Sequence, residues 1–375
     1  MIKPYRTFFA LIALLLFIIP LHAEDAELYT ADEFDVESVL DALPDEVREN
    51  LPDGDVFAAE GFLDTFSVGY FFELIRTTVT SALSPTLKTL SVTLGLVLIA
   101  SVLSALKGTL RADSLTAIFE FASGLCIMLT LYNTAASLTR TVQLYLTQLS
   151  GVVNAMVPVT IAVGTAGGNV SASAVSGSAM MLGLSFVETL AAQGLYPILQ
   201  LCFGLAIASG VGGGINLGGI SKTVRGAFTW VLGLTSAVIS AVMTFQTSIA
   251  SRADSLSMRA LKFAASKTVP VVGGIASDAV SAVAGSLSLV KSTVGWVGVI
   301  IIAVLTLPVI VNVLLTRLGV IAAQTAADVL GLEREKRLLG EVSGLLGFLA
   351  AVCVIAALMF IYALAVFAKS AVALA

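Results

Sequence analysis

The sequence predicts an all-α polytopic membrane protein, and three observations carry that prediction. Hydrophobic residues make up 57% of the 375 residues, against 12% charged. The uncharged runs 226–251, 292–316 and 342–368 each suffice to cross ~30 Å of hydrocarbon as a helix. Glycine and proline interrupt other apolar tracts where lipid would leave backbone groups without partners, so those points must face protein or a water-filled cavity. The expected architecture is about seven transmembrane helices plus two re-entrant segments broken by Gly and Pro. An inverted repeat and an N-terminal signal peptide complete it.

The elements follow in order. Lys3 and Arg6 precede the apolar run 8–19, which Pro20 and the small residue Ala23 follow; this is the layout of a signal peptide over 1–23, cleaved near Ala23–Glu24. Leu21 is larger than ideal three residues before that bond, so an uncleaved anchor is the alternative. Either way residue 24 starts outside the cytoplasm. Residues 24–60 hold fourteen acids against Arg48 alone, a net charge of −13. This acidic exported leader reads as a solvated, partly disordered segment or as a docking arm for a basic partner, with Val36, Val39, Leu40 and Leu43 on one helical face. Residues 61–85 are aromatic and mixed, with Asp64, Glu73 and Arg76, and read as an amphipathic segment lying at the interface without crossing. Membrane repeat A then occupies 86–192 and repeat B 193–316. A charged loop spans 317–341, and the last transmembrane helix with its tail spans 342–375.

The two repeats rest on an internal similarity. Val157-Pro158-Val159 runs into Gly164, Gly167 and Gly168, and Val269-Pro270-Val271 into Gly273 and Gly274; the prolines are 112 residues apart. The same offset carries Lys107 and Arg111 close to Lys222 and Arg225, and 115–138 onto 226–248. Duplication accounts for this; chance similarity between small-residue helices is the competing reading. If each Val-Pro-Val segment dips in and returns, each repeat has three crossings, and an odd number inverts the second copy. Lys107, Arg111, Arg252, Arg259, Lys262 and Lys267 are then cytoplasmic, with Arg140, Lys222 and Arg225 outside.

The single histidine, His22, lies in the expected signal peptide. Ser-His-Asp and Cys-His catalysis, HExxH zinc sites and histidine proton relays all need an imidazole. The Tyr-Asp and Gly-x-Gly-Asp context of an intramembrane aspartyl site is missing too. The expectation is therefore no enzyme, no cofactor, no metal and no nucleic-acid partner. Cys126, Cys202 and Cys353 read as small buried residues of separate helices. Candidate functional positions are Pro158, Gly167, Gly168, Pro270, Gly273 and Gly274 in the broken segments. Asp278, with Lys291 as its partner, is a candidate for a cavity-lining or ion-coupled role; structural pairing is the alternative. Glu120 and Glu188 are further acids at or near membrane depth. Gly210, Gly214 and Gly218 recur every fourth residue, a stripe suited to close helix packing. Arg252, Arg259, Lys262 and Lys267 share one helical arc, as a topology determinant or a surface facing anionic lipid.

Arg259-Ala-Leu-Lys262, Val269-Pro-Val-Val-Gly-Gly274, Ser277-Asp278-Ala279, Leu289-Val-Lys291 and Gly295, in that order ahead of a long apolar span, resemble the stage III sporulation protein AE (SpoIIIAE) family. Signal peptide, acidic leader and small-residue-rich body extend the resemblance over nearly the whole chain. At Ala326-Ala327-Asp328 the sequence lacks the Pro and Gly that the family pattern places beside the acid. The resemblance implies an integral membrane component of the channel or secretion-like complex between mother cell and forespore, acting as an export platform or permease-like subunit. Its implied partners are other stage III membrane proteins, including a secretion-type ATPase and ring-forming subunits, besides membrane lipids. Its implied place is the mother-cell membrane facing the forespore, with residues 24–85 in the intermembrane space. The alternative is a self-sufficient secondary transporter of a small solute, built on inverted repeats.

Overall fold

A chain that crosses lipid must satisfy each backbone group within its own segment, which long apolar helices do. The computed structural model is built of such helices and describes residues 68–106, 113–166, 170–211, 218–268 and 273–369. They form α1 (Val68–Leu106), α2 (Asp113–Ala166), α3 (Val170–Val211), α4 (Gly218–Thr268), α5 (Gly273–Val329) and α6 (Glu333–Lys369). All six are long and apolar enough to cross a membrane. Among the described residues only the connector 330–332 is not helical. The helices run from 37 residues in α6 to 57 in α5, roughly 55–85 Å at 1.5 Å per residue. Each therefore continues beyond the hydrocarbon it crosses.

Side-chain contacts set the directions. Tyr132 of α2 meets Phe203 of α3, and Ile161 meets Gly177, so α2 and α3 are antiparallel. Gly183 and Gly194 of α3 receive Ile239 and Phe228 of α4, which makes that pair antiparallel too. Gln324 and Arg317 of α5 reach Gly340 and Gly347 of α6, again antiparallel. Arg225 and Thr244 of α4 reach Glu341 and Tyr362 of α6, a parallel pair. The up-and-down bundle centres on α6, which packs against α2, α3, α4 and α5, while α1 lies outside against α5 and α2. Tyr145, Met156, Leu184, Leu349 and Phe360 are buried in the core. Trp230, Phe245, Leu182 and Phe186 point outward, the arrangement expected where the surrounding solvent is as apolar as the core.

The α5–α6 turn closes on a glycine cap. Leu332 N donates to Ala327 O (2.9 Å) and Gly331 N to Asp328 O (3.0 Å), the paired bonds of a Schellman ending. Gly331 supplies the left-handed residue this ending needs, at φ 72°, and Leu332 is buried behind it beside Ala327. The turn therefore needs no proline or glycine beside Asp328. The expected charged loop 317–341 is correspondingly small: α5 continues to Val329 and α6 starts at Glu333.

Other expectations are also corrected. Residues 68–85 and 86–106 form one helix through Pro85 rather than an interfacial segment followed by a span. The boundary between repeats A and B at residue 193 falls inside one continuous α3, and six helices among the described residues are long and apolar enough to cross a membrane where seven crossings are expected. Val157-Pro158-Val159 does not break the chain, because α2 runs through Pro158 to Ala166. Away from water the freed carbonyl groups have no competing partner, so one lost hydrogen bond is cheaper than an opened helix. The second copy falls differently: 269–272 lie between α4 and α5, outside the described residues. The 112-residue offset carries α2 onto α4 and α3 onto α5, an even number of helices, so copies related by it run parallel rather than inverted. Accordingly Lys222 and Arg225 lie at the end where α2 starts, not the opposite one. The signal peptide 1–23, the acidic leader, Lys107, Arg111, Gly167, Gly168, Gly214 and Pro270 lie outside the described residues.

Candidate functional site: polar side chains seated on the glycines of α6

A charged or amide side chain can enter a helix bundle only where the facing helix leaves room for it and offers a partner. α6 leaves room with Gly340, Gly344 and Gly347, spaced four and three residues apart and so on one face. A Cβ at Gly344 would lie 2.8 Å from Arg225 Nη2, one at Gly347 3.0 Å from Arg317 Cζ, and one at Gly340 3.3 Å from Gln324 Nε2. Three polar side chains from α4 and α5 thus rest directly on the backbone of α6.

Arg225 is neutralised there. Its Nη2 donates to Glu341 Oε2 at 3.1 Å and its Nη1 to the Glu341 carbonyl at 3.2 Å. Only 9% of the Arg225 side chain is exposed, against 24% for Glu341. Such a pair adds little net stability, because desolvating both charges offsets their attraction, but losing one partner strands the other. Arg317 differs. It is half-buried, its Nε has no hydrogen-bond partner, and it makes no ion pair among the described residues. Gly347, its seat, is six residues beyond Glu341, roughly 9 Å deeper along α6.

Further polar contacts continue through the bundle. Tyr145 of α2, fully buried, hydrogen-bonds Thr306 of α5 (3.0 Å) and donates to the Cys353 carbonyl of α6 (3.4 Å). Thr244 of α4 and Tyr362 of α6 share a hydrogen bond of 2.8 Å nearer the far end. At the end where α6 begins, Ser123 of α2 donates to the buried carboxylate of Glu335 at 3.4 Å. Gln143 of α2 donates to the Ala192 carbonyl of α3 at 2.7 Å. Hydrogen-bonding groups thus occur at successive depths from Glu335 to Tyr362.

Most residues singled out from the sequence lie elsewhere. Pro158 is exposed on α2 and Glu188 half-buried on α3. Gly273, Gly274, Asp278 and Lys291 lie in the N-terminal part of α5. Asp278 and Lys291 are thirteen residues apart on that one helix. Gly210 is in the last turn of α3 and Gly218 opens α4, so with Gly214 they do not form a stripe on one described helix. Glu120 lies on α2, three residues before Ser123. The three cysteines are free, Cys202 and Cys353 buried as expected but Cys126 exposed. Arg225 was legible only as a topology marker, and Arg317 and Glu341 only as loop charges. The signal that finds them is the glycine spacing of α6, the same argument spent on Gly210, Gly214 and Gly218.

A family model described as stage III sporulation protein AE matches residues 59–371. The chain belongs to this family. It is accordingly a sporulation-stage III protein, and the six apolar helices among the described residues make it a multi-pass membrane protein. No curated protein and no solved structure matches the chain. In this stage III sporulation protein AE family member the matched region includes all of α1–α6 and every residue of the polar cluster. The motifs between Arg259 and Gly295 fall on α4, α5 and the segment between them, away from Arg225, Arg317 and Glu341.

Proposed function

We propose that this chain is a permease-like or export-platform subunit of the channel or secretion-like complex between mother cell and forespore, not an enzyme. It would lie in the mother-cell membrane and work with a secretion-type ATPase and ring-forming subunits. The observation that carries this reading is Arg317: a guanidinium inside an apolar span, seated on Gly347 and without a counter-ion among the described residues, nearly two turns from Glu341 of the neutralised Arg225–Glu341 pair. Ionisable groups at membrane depth are costly, and their usual role is to meet ions or polar segments that pass. A guanidinium also binds carboxylates in bidentate fashion, which suits an acidic passing segment or partner.

The test compares heat-resistant spore yield in strains carrying Arg317→Gln or, as control, Arg76→Gln, whose exposed side chain pairs with Glu73 on α1. Membrane levels of both variants are followed by immunoblot. A fall of at least about tenfold for Arg317→Gln alone, at normal protein level, supports the proposal. Unchanged yield overturns it. A self-sufficient secondary transporter is less well supported, since the helices related by the 112-residue offset run parallel where that reading calls for inverted ones. Solute uptake by the purified chain alone in liposomes would favour it.

A further inference from the structure

At the end of the bundle where α6 begins, a cavity of about 420 Å³ opens between the start of α4, Gln324 of α5 and the first turns of α6. Its walls carry four cations, Lys222, Arg334, Lys336 and Arg337, against a single acid, Glu341. That acid is already held by Arg225, and Lys336 is neutralised by Asp328 at 2.6 Å and Glu333 at 3.5 Å. Lys222, Arg334 and Arg337 make no ion pair among the described residues, although Arg337 Nε donates to the Glu333 carbonyl at 3.2 Å and the Arg334 guanidinium lies 5.9 Å from the centre of the Phe121 ring.

Two polar atoms in these walls are buried without a partner, Ser221 Oγ and Arg334 Nε. Ser221 is 1% exposed, and its hydroxyl has no protein partner among the described residues. Native structures rarely leave such groups unsatisfied, and each points to a missing partner. α4 opens onto the cavity with Gly218 and Gly219, and a helix N-terminus favours an anion by its dipole. Three cations without ion pairs and a hydroxyl without a partner among the described residues converge with a helix N-terminus on the same space. The uncharged run of α6 starts at residue 342, so the cavity sits just beyond the hydrocarbon, at headgroup depth. Ala206 and Leu338 add apolar wall.

From this convergence we infer that the cavity binds a phosphate group, supplied by an anionic phospholipid whose headgroup enters between α4 and α6. Lys222, Arg334 and Arg337 meet the phosphate oxygens as charged donors, and Ser221 Oγ donates to one of them. Basic pockets between membrane helices recognise lipid headgroups by this chemistry. The inference does not rest on the transport reading, and its test reads binding rather than sporulation.

The experiment is native mass spectrometry of the purified, delipidated full-length chain titrated with phosphatidylglycerol, phosphatidylcholine or inorganic phosphate. One phosphatidylglycerol should bind per chain, in preference to phosphatidylcholine. Lys222→Gln and Arg337→Gln, both at exposed positions, should each weaken it about tenfold, the size of a lost charged hydrogen bond. Ser221→Ala should weaken it several-fold, and Arg76→Gln not at all. Inorganic phosphate bound with the same variant dependence, phosphatidylglycerol remaining unbound, would keep the phosphate site but assign it to a soluble source. Binding of neither probe, or binding indifferent to Lys222 and Arg337, overturns the inference.

Discussion

Along the seam between α3 and α4, Gly183 and Gly194 receive Ile239 and Phe228, whereas along the seam between α6 and its neighbours Gly344 and Gly347 receive the guanidinium groups of Arg225 and Arg317. The device is the same: a missing Cβ lets a long side chain lie against a helix backbone. What lies there is opposite in kind. At the first seam the contact is dispersion between apolar atoms, continued by the edge-to-face packing of Phe228 on Phe348 (centroids 5.7 Å apart). At the second, each guanidinium gives up hydration and needs a partner, which Arg225 finds in Glu341 while the buried Nε of Arg317 has none among the described residues. A glycine in a membrane helix thus announces a close approach without saying what approaches.

Three substitutions would break or sharpen this contrast. The largest effect is expected from Glu341→Leu, which strands Arg225; losing one member of a buried pair costs about 3–5 kcal/mol. Thermal unfolding in detergent should show the single variant much less stable than the double variant Arg225→Met/Glu341→Leu, in which both charges are gone. Equal stability of the two would mean that Arg225 has another partner or reaches water. At the apolar seam Gly194→Ala places a Cβ 2.3 Å from Phe228 Cε2, and overpacking of this kind costs about 1–3 kcal/mol. Phe228→Leu in that background should recover most of the loss; if it deepens the loss instead, the clash is not the cause. The smallest effect belongs to Tyr145→Phe. It removes the hydroxyl but leaves Thr306 bonded to the Ile302 carbonyl at 2.6 Å, so about 1 kcal/mol is expected. A loss several times larger in the same unfolding assay would make the Tyr145–Thr306 contact a main support of the core.

Legibility followed the range of the physics involved. The apolar runs 226–251, 292–316 and 342–368 were recognised as spans because hydrocarbon thickness sets helix length whatever the neighbours are. Pro158 misled because in water a proline inside a helix usually ends it, whereas α2 carries it through. The repeat boundary at residue 193 misled because an offset between similar motifs does not mark a turn, and α3 runs through it. Arg317 and Glu341 were read as loop charges from the high charge density of 317–341, yet both lie on helices.

By itself the sequence determined the class, the family resemblance and the membrane-spanning character of this protein, because length and apolarity act locally and add along the chain. Tertiary structure alone decided which charges are inside. The pairing of Arg225 with Glu341 spans 116 residues, and the seat that Gly347 provides for Arg317 depends on how α5 lies against α6. The partner of a buried charge is set by the packing of distant helices, and no local pattern encodes that.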